Sequence, residues 1–225
     1  MNVLFDLDGT LTDPFEGITN CISHALLALG KPSPIRESLR WCIGPPLREA
    51  FRALLASDDP QLIEQAVHIF RDRFATKGLY ENEVYAEIPE ALAALVERSH
   101  VLILATSKPA VYAEQILVHF GLRPFFHSVY GSELDGRWSD KSALISRIIQ
   151  REPLRCFETV MVGDREYDMS GAVSNTIPAI GVLWGYGTRE ELVTSGASAC
   201  VAKPSDLVSA VTNITTAAGQ ERDAR

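Results

Sequence analysis

The sequence predicts an α/β fold, a doubly wound parallel sheet into which a smaller all-helical block is inserted. The chain opens on a short apolar run, Val3-Leu4-Phe5, and two aspartates follow it at once. From about residue 88 onward, strand-like and helix-like patterns alternate. Between about residues 14 and 85 the apolar residues keep helical spacing, and no convincing strand is present. Repeated βα units favour a parallel sheet with helices on both faces.

The first predicted strand ends at a pair of carboxylates. Asp6 and Asp8 are separated by Leu7, so the alternation of a strand puts both carboxylates on one face. Two carboxylates this close repel each other unless a cation or a proton lies between them. Ligands bind at the carboxyl ends of strands in open α/β sheets. The pair therefore indicates a functional site, and a plain Asp-rich turn closed by Gly9 is the alternative.

The inserted block is predicted to consist of helices. The first helix ends at Gly30, and its buried face comprises Ile18, Cys21, Ile22, Ala25, Leu26 and Leu29. Two further helices are predicted over residues 47–55 and 61–75.

The rest of the chain alternates regularly. Strands are predicted over residues 101–105, 127–130, 159–162, 177–183 and 199–201. Helices are predicted over residues 89–98, 110–120, 139–151, 167–174, 189–194 and 205–215. Pro89 suits a first helical turn, and Gly121 and Gly196 suit helix ends.

Composition narrows the class of function. A chain of 225 residues suits one doubly wound domain with a modest insertion. The net charge is −8 and no dense cluster of Lys and Arg occurs, which argues against a nucleic-acid polymer as partner. No apolar run is long enough for a membrane span and no signal-peptide pattern is present, so we expect a cytoplasmic protein without a membrane partner. The four scattered cysteines form no C-x-x-C pair, so zinc is not expected.

Four segments follow a predicted strand or begin a predicted helix, and they carry the candidate chemistry. They are Asp6–Thr10, Ala105–Pro109, Lys141 and Gly163–Asp168. In this order they resemble the four motifs of the haloacid-dehalogenase superfamily of phosphohydrolases. The helical block resembles the small cap domain of one branch of that superfamily. The resemblance implies an α/β core of residues 1–13 and 86–225 and a cap of residues 14–85.

The resemblance also implies roles for the acidic residues. Asp6 would be the nucleophile that forms an aspartyl-phosphate. Asp8 would protonate the leaving oxygen and then act as base on the attacking water. Mg²⁺ would be bound by Asp6, by the backbone carbonyl of Asp8 and by Asp164. Asp168 would orient the waters of the metal or pair with Lys141.

The phosphate itself would be bound by the second and third motifs. The Thr106 hydroxyl and the Ser107 backbone N–H would donate to phosphoryl oxygens, and Lys141 would neutralise charge on nucleophile and phosphate. The family often has proline after this lysine, whereas Ser142 stands here. Lys108 is expected to point away from the phosphate.

Arg48 is the candidate residue for recognising the leaving group of the substrate. It follows Gly44-Pro45-Pro46 at the start of a helix, and in related enzymes the corresponding loop contacts the part of the substrate that is not transferred. A guanidinium suits a planar carboxylate or a second phosphate. The alternative is an ordinary surface arginine that pairs with Glu49 or another helix neighbour.

The predicted function is a Mg²⁺-dependent phosphomonoesterase acting on a small-molecule phosphate ester. The subgroup resemblance is to phosphoglycolate phosphatases and bacterial 5′-nucleotidase-like phosphatases, and phosphoglycolate is the first choice of substrate. Asp8 argues against dehalogenases and phosphonate hydrolases, which lack the second aspartate. A phosphomutase resembling β-phosphoglucomutase uses the same two aspartates, and a non-catalytic binding protein on the same scaffold is a further alternative. We expect a monomer or a weak homodimer.

Overall fold

The computed structural model describes residues 1–214, and its centre is a six-stranded parallel sheet. The strands are β1 (Asn2–Phe5), β2 (Thr12–Asp13), β3 (Glu83–Val84), β4 (Val101–Pro109), β5 (Ser128–Ser132), β6 (Thr159–Gly163), β7 (Ala179–Val182) and β8 (Ala199–Val201). The helices are α1 (Phe15–Ala28), α2 (Leu47–Leu55), α3 (Pro60–Arg73), α4 (Ile88–Glu97), α5 (Ala110–His119), α6 (Lys141–Arg151), α7 (Glu166–Ser174) and α8 (Arg189–Thr194). Residues 207–214 are also helical. The predicted end of the last helix at Thr215 and the end of the predicted core at residue 225 lie outside the described residues.

The sheet has the order β5-β4-β1-β6-β7-β8, so the first strand lies at its centre. Phe5, the last residue of β1, is in register with Leu104 of β4 on one side and Val162 of β6 on the other. Because the strands are parallel, the residues that follow all three strands emerge at the same edge. The predicted doubly wound α/β class is confirmed.

Alternate residues of each strand pack against different helices. Val3 and Phe5 belong to a large apolar cluster with Leu92 of α4 and Leu117 of α5. Leu4 points to the other face and packs in a second cluster with α6, α7 and α8; its members include Ile103, Leu144, Met161, Met169 and Leu192. Both faces of the sheet are therefore covered, as the near-continuous apolar strands require.

The helical insertion lies between two short strands. β2 and β3 pair antiparallel, with Thr12 opposite Val84, where the chain leaves and re-enters the sheet region. The stretch up to residue 85 was expected to contain no strand, and β3 corrects that expectation. A two-residue ribbon is too short to show an alternating pattern.

Two other local structures in the insertion were not predicted. Residues Arg36–Cys42 form a 3₁₀ helix, and α3 ends at Arg73 because the backbone continues as a π-helix over Phe74–Gly78. This π-helical turn carries Phe74, whose ring stacks on Phe70 at 5.3 Å and meets Tyr112 of α5 edge-on at 5.4 Å. The turn therefore joins the insertion to the sheet region through an aromatic contact.

Among residues 1–214, no helix combines the length and the apolar character needed to cross a bilayer.

Candidate active site

Lys141 lies at the centre of a cluster of charges at the carboxyl edge of the sheet. Its Nζ is 2.9 Å from Asp6 Oδ1 and 2.8 Å from Asp168 Oδ1, and it donates to the Ala105 carbonyl at 2.8 Å. Its side chain is only 3% exposed. Burial alone would lower the pKa of this lysine, but Asp168 and Asp6 outweigh burial and raise it. Lys141 is therefore a fixed cation, and Asp168 pairs with it, a contact that one of the two predicted roles of Asp168 requires.

Asp164 is fully buried beside these groups. Its two carboxylate oxygens accept hydrogen bonds from the Thr10 hydroxyl at 3.2 Å and from the Tyr186 backbone N–H at 2.8 Å. Gly9 makes room for it: the backbone of Gly9 has a φ of +86°, and a Cβ there would lie 2.2 Å from Asp164 Oδ2. Burial, Asp168 and Asp6 raise the pKa of Asp164 well above its ordinary value.

The acidic cluster has the composition of a site for a hard divalent cation. Asp6, Asp164 and Asp168 each offer an oxygen, and these atoms lie within 4.8 Å of one another. All the donors are carboxylates, which suits Mg²⁺ better than a soft metal. With Asp8, four carboxylates face two lysines, so the site has an excess of negative charge that a divalent cation would balance. The residues present fit the predicted metal.

Asp8 is held by Lys108, which corrects the expectation that this lysine points away. Lys108 Nζ lies 2.6 Å from each oxygen of Asp8, and the two side chains are 6% and 14% exposed. Burial raises the pKa of Asp8, and the ammonium of Lys108 opposes that rise. β4 continues to Pro109, beyond the predicted end at residue 105, and its pairing with β5 is irregular after Ala105. Thr106 and Lys108 line the same cavity, a placement that a strand predicted to end at residue 105 does not give.

A cavity of about 420 Å³ extends from these groups toward the helical insertion. Its polar wall includes Asp6, Asp8, Thr106, Ser107 and Lys108. Its apolar wall comprises Ile18, Pro45, Pro46, Leu47, Phe70, Phe74 and Tyr112. The Thr106 hydroxyl oxygen accepts the Lys108 backbone N–H at 3.3 Å. The volume falls in the range of sites for small organic ligands.

Arg48 lines this cavity, but its guanidinium is already paired. It donates through Nε and Nη2 to both carboxylate oxygens of Glu64 on α3, the second contact at 3.0 Å. Its partner in this structure is a residue of the neighbouring helix α3 rather than Glu49. Arg71 lines the same cavity and makes no ion pair with any residue of the described chain, 1–214. Burial lowers the pKa of Arg71, and the nearby charge of Arg48 adds to that shift.

Arg71 and Arg165 were not among the predicted site residues. Arg71 lies inside a helix that was predicted only from the spacing of its apolar residues. That spacing does not show which part of the protein the polar residues of the helix contact. Arg165 stands directly after Asp164 within the fourth motif, and its side chain reaches the backbone of Ile43 in the insertion. The position of Arg165 was visible in the sequence, but a contact across 122 residues was not.

Known proteins resemble the chain in sequence and in structure. A family model for the haloacid dehalogenase-like hydrolases matches residues 3–182. A Pseudomonas aeruginosa protein named 5′-nucleotidase is 47% identical over 191 residues, which cover 85% of this chain and 86% of that protein. A phosphoglycolate phosphatase of Vibrio parahaemolyticus is 24% identical over 216 residues, 93% of this chain and 95% of the relative.

A solved structure agrees with these relatives. The crystal structure of a predicted phosphatase from Clostridium acetobutylicum superposes with a TM-score of 0.90 at 39% sequence identity, covering 94% of this chain and 98% of that chain. The family model covers most of the sequence. One relative is named a 5′-nucleotidase, the other a phosphoglycolate phosphatase, and the structural neighbour is described as a predicted phosphatase. The chain belongs to the haloacid dehalogenase-like hydrolases and is a phosphatase of that family.

Proposed function

We propose that the chain is a Mg²⁺-dependent phosphomonoesterase that works through a phosphoaspartate at Asp6, and that nucleoside 5′-monophosphates are its substrate class. One observation carries the proposal. Asp6 and Asp8 line the same 420 Å³ cavity as a wall of apolar and aromatic side chains. A phosphate next to the two aspartates would thus leave space along that wall for a large, flat leaving group.

In the first step, an oxygen of Asp6 attacks phosphorus and the bond from phosphorus to the leaving oxygen breaks. Asp8 donates its proton to that oxygen. Burial of Asp8 favours the protonated acid that this step needs. Lys141, held 2.9 Å from Asp6 Oδ1, lowers the repulsion between the nucleophile and the anionic ester.

In the second step, water attacks the phosphoaspartate and inorganic phosphate leaves. Asp8 takes the proton of the water, and Lys108 at 2.6 Å stabilises the carboxylate before that transfer. Thr106 would donate its hydroxyl proton to a phosphoryl oxygen. Asp6, Asp164 and the Asp8 carbonyl would hold Mg²⁺, which supplies positive charge to the phosphoryl group when bound.

The helical insertion, residues 14–85, would act as a cap domain that binds the leaving group and selects among substrates. Phe70 and Phe74 from the insertion, and Tyr112 from α5, line the cavity, and aromatic faces suit a nucleobase. The 47% identical relative named 5′-nucleotidase supports the same substrate class.

Phosphoglycolate, the first choice from the sequence, is the second candidate. The observation in its favour is Arg71, a cation in the cavity wall without an ion-pair partner in residues 1–214. Such a cation suits a carboxylate on the leaving group. Arg48 could serve in the same way only after leaving Glu64. Glycolate is small for a cavity of 420 Å³, so we rank it below the nucleotides.

The deciding experiment measures phosphate release from a panel of esters by the purified protein with Mg²⁺. The panel contains AMP, GMP, UMP, phosphoglycolate, β-glucose 1-phosphate and p-nitrophenyl phosphate. We expect kcat/KM for the best nucleotide to exceed that for phosphoglycolate by about tenfold or more, the discrimination that a shaped pocket gives.

Three other results would each favour a different function. A reversed order of kcat/KM would make phosphoglycolate the substrate. Isomerisation of β-glucose 1-phosphate faster than phosphate release would indicate a phosphomutase. Hydrolysis of no ester in the panel would favour a binding protein on the same scaffold.

A further inference from the structure

Arg165 joins the loop that carries Asp164 to the helical insertion. The residue stands immediately after Asp164 and before α7, and its side chain is 14% exposed. Its Nη1 donates to the backbone carbonyl of Ile43, which belongs to the insertion. Its Nε donates to Glu191 Oε1 of α8 at 2.9 Å. One guanidinium thus connects the metal-site loop, α8 and the insertion.

The segment that Arg165 holds is part of the cavity wall. Ile43 is buried and directly precedes Gly44, Pro45 and Pro46, all three of which line the 420 Å³ cavity. Gly44 has a φ of +108°, and a Cβ there would lie 2.9 Å from Arg165 Nη1 and 3.0 Å from its Cγ. Position 44 therefore favours glycine for two reasons: its backbone has a positive φ, and a side chain there would collide with the Arg165 guanidinium.

Glu191 fixes the guanidinium from the opposite side. The same Oε1 that accepts Arg165 Nε also accepts the Glu166 backbone N–H at 3.0 Å. The carboxylate is thereby tied to the first turn of α7. Because Glu191 restricts the rotamers of Arg165, the hydrogen bond from Arg165 to the Ile43 carbonyl fixes the position of that backbone segment.

We propose that Arg165 is a positioning residue that seats residues 43–47 of the insertion against the cavity, and so sets the affinity for the leaving group. The proposal rests on the proposed function, since it assigns this loop the recognition of the ester's non-transferred part. Arg165 touches neither phosphate nor nucleophile in this scheme. Its removal should weaken binding of esters with a large leaving group and spare the phosphoryl chemistry.

The test compares Arg165→Met with Arg155→Met. Methionine keeps much of the length and apolar stem of arginine but loses the donors. Arg155 is a matched control because it is an exposed arginine of the core that pairs with Glu158 at 3.5 Å. Kinetics with a nucleoside 5′-monophosphate and with acetyl phosphate separate effects on a large leaving group from effects on a small one.

We expect Arg165→Met to raise KM for the nucleotide roughly 10- to 100-fold, the equivalent of one charge-assisted hydrogen bond, with kcat little changed. KM for acetyl phosphate and the Mg²⁺ concentration for half-activation should stay near those of Arg155→Met. Equal losses on both substrates, or a higher Mg²⁺ requirement, would overturn the proposal, because Arg165 would then serve the metal loop. Arg165→Lys keeps the charge but has one donor group, so its KM for the nucleotide should lie between those of the parent protein and Arg165→Met.

Hydrogen exchange provides a readout that needs no turnover. Backbone amides of residues 40–49 should exchange faster in Arg165→Met than in the parent and the Arg155→Met control. Unchanged exchange in this segment would overturn the positioning role even if the phosphatase is active. If the segment exchanges faster in Arg165→Met but the parent protein hydrolyses no ester, the positioning role of Arg165 stands and the proposed function fails.

Discussion

At the residue scale, Asp6 is held by contacts that do not depend on its charge alone. Its backbone N–H donates to the Val162 carbonyl at 3.0 Å, and its Oδ1 accepts from Lys141 at 2.9 Å. An asparagine side chain would keep an oxygen for Lys141 and has nearly the same shape. Substitution by asparagine therefore separates the nucleophile from the structure around it.

We predict that Asp6→Asn lowers kcat by roughly 10⁴-fold or more, as removal of a covalent nucleophile does, because an amide cannot attack phosphorus. The melting temperature should stay close to that of the parent. Asp72→Asn, at an exposed helix position 67% accessible, is the control and should keep full activity. Substantial turnover by a verified Asp6→Asn protein would contradict the covalent mechanism.

Asp6 and Asp164 could be singled out from the sequence because each directly follows a strand, and Asp168 because it lies in the first turn of the next helix. Asp6 and Asp164 come after strands that pair in the sheet, so topology alone brings them together. Arg165 shows the limit of this reasoning. Its place next to Asp164 was visible, but its partner at Ile43 depends on how the insertion packs, which no local pattern encodes.

At the scale of the elements, a side-chain cap begins the helix that presents Lys141. α6 begins at Lys141 itself, and the preceding Asp140 accepts the Ala143 backbone N–H at 2.8 Å through its side chain. This bond satisfies one of the free N–H groups of the first turn. The helix that carries the central cation of the site is thus stabilised at its first turn by a side chain one residue away.

We predict that Asp140→Ala destabilises the protein by about 1 kcal/mol, the usual cost of losing such a cap. The melting temperature should fall by about 2–4 °C for a chain of this size. Asp140→Asn, which keeps an acceptor of similar strength, is the control and should lose much less. Thermal unfolding followed by circular dichroism measures both, and equal losses would show that the charge of Asp140, not its capping bond, stabilises α6.

Most elements of the sheet region were predictable because apolar runs bounded by glycine and proline are strong local patterns. Helix α8 and strand β8 of the sheet region, and helix α2 of the insertion, have the bounds that the sequence predicts. The π-helical turn at Phe74–Gly78 was not predictable in this way, since it continues the helical spacing of α3. Its contact between Phe74 and Tyr112 is long-range packing, which the local spacing of apolar residues does not encode.

At the scale of the whole molecule, the fold concentrates negative charge where a phosphate must bind. The protein carries a net charge of −8, and Asp6, Asp164 and Asp168 converge from β1 and the region after β6. Lys141 and Lys108 balance two of the four carboxylates. Folding therefore brings together, in a buried site, carboxylates that are far apart in the unfolded chain, and a cation that binds only the folded state stabilises that state.

We predict that Mg²⁺ raises the melting temperature and that EDTA both reverses this rise and stops phosphate release. At a Mg²⁺ concentration 100 times the dissociation constant, the stabilisation should be about 2.7 kcal/mol, which corresponds to about 5–10 °C. Asp164→Asn should lose the Mg²⁺-induced rise because a buried carboxylate ligand is gone, whereas Asp72→Asn should keep it. Since the rise is measured without substrate, it tests the metal site separately from catalysis. Identical melting curves with and without Mg²⁺, together with full activity in metal-free buffer, would mean that the lysines alone balance the site.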